Sequence, residues 1–329
     1  MAKVKVGLML GGGGAKGAYQ LGFIRAFEEL KLLKHIDVIS GVSIGAINTL
    51  LLMSKIKHED MVKIWQIMDS ENVFGTKGQS LFKEKRLYDF VPVAEELIKN
   101  VPLKNVRKSK FEAYATASLI YDKQSFIHQI KTDTMQKEVF HLNKVKDPYL
   151  ATMASSSIPV VFGPTTIDGK KYVDGGIIDN YPIEPLIESG CNFIIAVALD
   201  DWFNPYVHDH QDINIINFTS TSAFETSRIA DLFDVMKFND SFKMEKEELG
   251  YQVAKIMIQK MITEGYIKRR FGFTWFVKKE GFKVLELSRF DEIHIKDLKL
   301  QQRLKMKRLI KENKKKKKRE KKNRRDNDA

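Results

Sequence analysis

Gly41-Val42-Ser43-Ile44-Gly45 holds the residue types and spacing best suited to nucleophilic chemistry in this 329-residue chain. A GxSxG pentapeptide presents its serine on a tight turn when it joins a strand to a helix. The neighbours predict that context. Ile36-Asp37-Val38-Ile39 reads as a short buried strand, and Ala46 to Met53 is an apolar run that reads as a helix. The flanking glycines tolerate a turn that bulkier residues would crowd. The start of the following helix favours negative charge where an oxyanion would form.

A second glycine cluster, Gly11-Gly12-Gly13-Gly14-Ala15-Lys16-Gly17, follows the apolar segment Val4–Leu10 and precedes a helix predicted over Ala18–Leu33. Such a loop gathers backbone N–H groups around an anion. Dinucleotide binding needs an acidic residue closing a second strand some 20 residues further on, and Asp37 precedes that strand's apolar run instead. A P-loop needs Lys followed directly by Ser or Thr, and Lys16 is followed by Gly17. Two readings remain for the loop alone: an oxyanion hole for acyl transfer, or a turn kept small for close packing. A third candidate, Asp174-Gly175-Gly176, would be read in isolation as an ordinary turn.

Lys171-Tyr172-Val173 leads into that turn. Around it the chain alternates between the two periodicities. Strands are expected at Phe111–Leu119, Phe126–Ile130, Glu138–Leu142, Phe193–Leu199 and Lys283–Leu287. Helices are expected at 59–69, Tyr88–Lys99, Pro148–Ser157, Pro182–Glu188, Ala223–Lys237 and Tyr251–Arg270, with Asn72–Gly75 as a turn. Strand-helix alternation in the first half favours a parallel sheet covered by helices.

The blocks Gly12–Gly17, Gly41–Gly45, Ala154-Ser155-Ser156-Ser157-Ile158-Pro159-Val160-Val161-Phe162 and Asp174–Gly176 occur in this order across about residues 4–200. Together they resemble the patatin-like phospholipase family. The resemblance implies an α/β sandwich with a central, mostly parallel sheet flanked by helices. It implies Ser43 as nucleophile, Asp174 as general base in a Ser-Asp dyad, and Gly12, Gly13 and Gly14 around the oxyanion hole, with Gly13 and Gly14 foremost. It implies hydrolysis of fatty-acyl esters in phospholipids, lysophospholipids or acylglycerols, with no cofactor and no catalytic metal. The alternative is a catalytically inactive lipid-binding or interaction protein with the same fold. Of the seven histidines, His208 and His210, flanking Asp209, are the pair that would serve a triad instead of a dyad. Asp200, at the end of a strong strand, is expected to serve as a cap or turn. Lys16 is expected to be a solvated helix residue, and Pro159 and Phe162 are expected to form wall and packing.

Charge divides the chain. Residues 301–329 contain 15 Lys or Arg against 4 Asp or Glu, a net of +11, whereas residues 1–300 carry +2. The expected organisation is a catalytic core over 1–200, a helical extension packed on or completing it over 201–300, and a polybasic tail over 301–329. Residues 303–325 are expected to make transient contact with anionic membrane, and no specific nucleic-acid partner is expected because no reading element accompanies the basic run. The single cysteine, Cys191, precludes an internal disulfide and is expected to be a buried, inert thiol. With neither a secretory signal nor an apolar run long enough to span a bilayer, the expectation is a cytoplasmic protein with peripheral membrane contact.

Overall fold

Alternation of side chains along the first strand sets the layering. In β1 (Val6–Leu10), Leu8 and Leu10 enter one apolar cluster while Met9 enters another on the opposite face. In β7 (Phe193–Val197), Ile195 and Val197 join the first and Ile194 and Ala196 the second. A strand with both faces apolar belongs in the middle of a covered sheet. The computed structural model describes residues 4–67, 91–121, 135–159, 162–224, 238–305 and 308. The turn expected at Asn72–Gly75, the strand at Phe126–Ile130 and nearly all of the helix at Ala223–Lys237 lie outside them, as does most of the basic tail.

The remaining strands are β2 (Val38–Val42), β3 (Glu112–Ile120), β4 (Met135–His141), β5 (Thr165–Ile167), β6 (Lys170–Asp174), β8 (Asn214–Asn217), β9 (Ile267–Arg270), β10 (Phe273–Phe276) and β11 (Lys283–Leu285). Among the described residues nine of them form one sheet, in the order β11-β8-β7-β1-β2-β3-β6-β5, with β4 also paired to β3. From β11 through β3 every pairing is parallel; β4, β5 and β6 add antiparallel pairs at one side. The fold is therefore mixed α/β with a central, mostly parallel sheet. Register brings Leu10 opposite Gly41 and Val197, so the carboxyl ends of β1, β2 and β7 emerge together. Loops at those ends are where such sheets build their sites.

Helices α1 (Ala18–Glu29), α2 (Ile44–Met53) and α3 (His58–Ile67) follow the first two strands. Further along come α4 (Val91–Asn100), α5 (Leu103–Arg107), α6 (Pro148–Ser155), α7 (Glu184–Glu188), α8 (Asp240–Thr263) and α9 (residues 289–305). The long α8 crosses α1 at backbone contact. A Cβ on Gly22 would stand 1.9 Å from the Glu247 carbonyl oxygen, and one on Gly250 would stand 2.0 Å from that of Tyr19. Edge-on rings of Phe23, Phe27 and Phe218 tie α1 to the end of β8.

Most expected elements are present with boundaries moved by a few residues. The helix expected over Tyr251–Arg270 is the exception. It starts earlier, at Asp240, where Asn239 caps it, and stops at Thr263. Gly265 then takes φ 79°, a left-handed stop, and Ile267–Arg270 pairs with β10 as a hairpin. The helix period continues through this region in sequence, so only the glycine signals the change. Cys191 is buried, and burial pushes its thiol up to about 12.

Candidate active site

β2 ends at Val42, and Ser43 turns directly into α2 with φ 54° and ψ −127°, a backbone conformation non-glycine residues rarely adopt. Both flanking glycines are required by contact. A Cβ on Gly41 would stand 2.5 Å from the Gly45 carbonyl oxygen, and one on Gly45 would stand 2.1 Å from that of Leu10. The turn is thus pressed onto the end of β1. Two serines of the Ala154–Phe162 block clamp it. The Ser43 N–H donates to Ser155 Oγ at 3.0 Å, Ser155 Oγ donates to the Thr116 carbonyl at 2.6 Å, and Ser156 Oγ donates to the Ser43 carbonyl at 2.9 Å.

Strand β3 brings in the carboxylate. Its first half pairs with β2 as far as Val42 opposite Thr116, and β6 takes over at the next position, Asp174 opposite Ala117. Asp174 therefore lies just past the end of β2, beside Ser43. The Ser43 hydroxyl donates to Asp174 Oδ2 at 2.6 Å. The other oxygen, Oδ1, accepts from the Gly176 N–H at 2.8 Å. The backbone of Asp174 is held by its own N–H to the Ser157 carbonyl and by Ser118 Oγ donating to its carbonyl, both at 2.9 Å. Both side chains are buried, Ser43 at 5% and Asp174 at 6% exposure. Desolvation raises the Asp174 carboxyl from its ordinary value to about 6, against the lowering effect of the Ser43 and Gly176 hydrogen bonds. Among the described residues no histidine is hydrogen-bonded to either group. For His208, one of the pair considered for a triad, burial lowers the pKa, and the carboxylates that act on it are Glu184 and Asp179.

The glycine loop lies against the serine. A Cβ on Gly12 would come within 3.1 Å of Ser43 Cβ. Gly13 (φ 156°) and Gly14 (φ 54°) turn the chain through positive φ, and a Cβ on Gly13 would meet Leu199 Cβ at 2.8 Å. Gly11 N–H is used by the Val197 carbonyl, whereas among the described residues the N–H groups of Gly12 and Gly13 donate no backbone hydrogen bond. With the first turn of α2 starting at Ile44, these groups place unused donors and a helix dipole beside the Ser43 hydroxyl.

Two residues complete this arrangement that sequence reasoning did not single out, or placed differently. Asn180 Oδ1 sits 2.5 Å from where a Gly12 Cβ would be and 2.7 Å from where a Gly176 Cβ would be, so one amide touches both the glycine loop and the Asp174 turn. Its Nδ2 donates to Asp200 Oδ2 at 3.1 Å. Asp200, buried, also accepts from the Tyr181 hydroxyl and, at 3.0 Å, from the Trp202 N–H. Asp200 is thus a turn residue, as its position implied, and also the brace behind Asn180. The signal for Asn180 was only its closeness to Asp174-Gly175-Gly176. Lys16 differs from expectation. It is 1% exposed, with its ammonium 5.6 Å from the centre of the Phe224 ring. It follows a loop folded inward onto Leu199, so the helix it leads into starts inside the protein.

Comparison with known proteins bears on this constellation. A family model described as Patatin-like phospholipase matches residues 8–187, more than half of the chain. The chain belongs to this family. Among its relatives, Lysophospholipase NTE1 of Kluyveromyces lactis is 28% identical over 201 residues, covering 60% of this chain and 13% of that protein. The chain therefore spans only about an eighth of the length of that relative. Probable lipid hydrolase 463L of Invertebrate iridescent virus 6 is 26% identical over 259 residues, covering 70% of this chain and 84% of that protein. Human GIVD cytosolic phospholipase A2 superposes with a TM-score of 0.46 at 10% identity, over 79% of this chain and 61% of that one. The family match contains Gly12–Gly14, Ser43 and Asp174, so the blocks that carried the resemblance fall inside it. Among the described residues no helix is long and apolar enough to cross a membrane.

Proposed function

We propose that the protein is a serine acyl hydrolase acting on fatty-acyl esters of phospholipids or lysophospholipids through a dyad of Ser43 and Asp174. The observation that carries this reading is the 2.6 Å hydrogen bond from Ser43 Oγ to Asp174 Oδ2, buried beside glycine N–H groups without backbone partners. Membership of the patatin-like phospholipase family and the named lipid hydrolases among its relatives agree with it.

The chemistry follows from the geometry. An ester carbonyl carbon sits over Ser43 Oγ, with its oxygen toward the N–H groups of Gly12, Gly13 and Gly14. Ser43 Oγ attacks as Asp174 accepts the hydroxyl proton, and the carbonyl oxygen becomes an oxyanion held by those donors. Collapse breaks the bond to the alkoxy oxygen, which takes the proton from Asp174 and leaves as lysolipid or alcohol. Water then gives its proton to Asp174 and attacks the acyl-serine. Collapse returns the proton to Ser43 and frees the fatty acid. A carboxylate is ordinarily too weak a base for this role. Burial strengthens it, and the hydrogen bond from Gly176 keeps Oδ2 aimed at the serine.

The reading assigns residues 1–200 as catalytic core, 201–300 as an extension that completes the sheet and covers α1, and 301–329 as a basic segment for anionic membrane. A fluorophosphonate probe tests it. Labelling of the folded protein that disappears in Ser43→Ala supports the hydrolase. A folded protein that binds lipid but takes no label at Ser43 is a lipid-binding member of the family instead.

A further inference from the structure

Helix α9, residues 289–305, is fixed to the body along one side. Ile295 and Lys299 are buried. Lys299 Nζ donates to the Ser222 carbonyl at 3.2 Å. The Glu292 carboxylate accepts from Ser220 Oγ, Thr221 N–H and Ser222 N–H at 2.8 to 3.0 Å. Asp291 faces Lys260, and Arg303 pairs with Glu245, both on α8. The opposite side carries large apolar residues in the open: Phe290 is 84% exposed, Ile293 52%, Leu300 58% and Leu304 48%. At 100° per residue these four fall within one narrow stripe. Asp297 lies in the same stripe and splits it into two pairs, while the exposed cations Arg289, Lys296, Lys305 and Arg308 lie along the helix and just beyond its end.

We propose that this outward face of α9 is a docking surface for an anionic phospholipid bilayer. The proposal rests on the lipid-hydrolase reading and names the surface that brings the enzyme to its substrate. An apolar stripe bordered by Lys and Arg is the pattern of a helix lying in the membrane interface, where apolar side chains enter the acyl boundary and cations meet headgroup phosphates. Charge selects the occupant. The helix leads into the segment 301–329 of net charge +11, which is drawn to an anionic leaflet. Two copies meeting through this face would bring the same cations together. A nucleic acid would satisfy the cations but would leave four apolar side chains without a role. The buried side of the helix is also joined to the glycine loop by a short run of contacts. Lys299 reaches the carbonyl of Phe224 at 3.5 Å, and the Phe224 ring contacts Lys16, which closes the glycine loop beside Ser43.

The test uses the full chain carrying Ser43→Ala, so that lipid is not consumed, and vesicles of phosphatidylcholine alone or mixed equally with phosphatidylglycerol. Co-sedimentation should show binding to the mixed vesicles. Phe290→Ser with Leu300→Ser should weaken it about tenfold or more, and Asp297→Lys should tighten it several-fold. Unchanged binding in both variants overturns the proposal, leaving the attraction to the basic segment alone. So does a wild-type dimer in size-exclusion chromatography that the double substitution converts to monomer without loss of vesicle binding. Turnover of a water-soluble short-chain ester by the double variant with Ser43 restored separates the two readings. It should stay within twofold of wild type. Absence of turnover in both proteins would count against the hydrolase, while the sedimentation result would still decide the role of α9.

Discussion

Ser43 and Asp174 are 131 residues apart in the chain and 2.6 Å apart in space, because consecutive residues of β3 hold the strands that carry them. Thr116 is opposite Val42, and Ala117 is opposite Asp174. The handover from β2 to β6 along one edge of β3 fixes the separation of the two groups to within a strand step. Gly175 makes the handover possible, since a Cβ there would stand 2.0 Å from the Thr116 carbonyl oxygen.

If that pair performs the chemistry, Ser43→Ala should remove ester turnover to background. Asp174→Asn should lower kcat by about 10²- to 10⁴-fold, the span of a lost general base. Circular dichroism should show both variants folded. Initial rates on a monomeric ester check the prediction, and near wild-type rates from either folded variant would refute the dyad.

The buried carboxylate gives a pH dependence with a definite sign. Asp174 must be ionised to accept the proton, and its pKa is raised to about 6. kcat/KM should therefore climb as pH rises through about 6 and level off above 7. Stability runs the other way. The folded protein holds this proton more tightly than the unfolded chain, so between about pH 4 and 6 stability falls as pH rises. Above pH 7 the full cost applies, on the order of 1–3 kcal/mol. Asp174→Asn should accordingly be more stable than wild type at pH 8, with the difference fading toward pH 4. Urea unfolding at the two pH values measures this.

The glycine loop and Asn180 should be separable by substitution. Gly12→Ala drives a methyl group into Asn180 Oδ1 at 2.5 Å and against Ser43 Cβ at 3.1 Å. It should cost at least about 10²-fold in kcat, the scale of a displaced oxyanion donor. Asn180→Ala removes the amide between that loop and the Asp174 turn, along with its bond to Asp200. Asp200 keeps the Tyr181 hydroxyl and the Trp202 N–H. Its effect should fall mainly on kcat, about tenfold or more, with little change in Tm. An equal loss of Tm and activity would mean that Asn180 holds the fold and not the site.

Ser155 should matter to stability more than its size suggests. Its hydroxyl accepts from the Ser43 N–H and donates to the Thr116 carbonyl, and all three residues are buried. Ser155→Ala leaves both backbone groups without that partner, at a cost of about 1–3 kcal/mol. Ser43 also holds a backbone conformation that this clamp maintains, so activity should fall as well. Thermal unfolding and turnover of the same variant check both halves.

Local chemistry is written in the chain. The glycines at 12, 13, 41 and 45 stand where a side chain would collide with its neighbours, and the unbroken apolar runs of β1 and β7 mark strands covered on both faces. These features carry the α/β fold in the sequence itself and mark Ser43 as the candidate nucleophile. Where local periodicity was ambiguous, as from Gly265 to Arg270, the helix was expected to continue, although a left-handed glycine ends it. The meeting of Ser43 with Asp174, the bracing of Asn180 by Asp200, the inward turn of Lys16 and the outward stripe of α9 were decided by the tertiary structure. The first depends on which strands share an edge of β3, the second on where the chain leaves β6 and β7, and the last two on what packs against α8. Those pairings join segments far apart in sequence, so no local pattern encodes them.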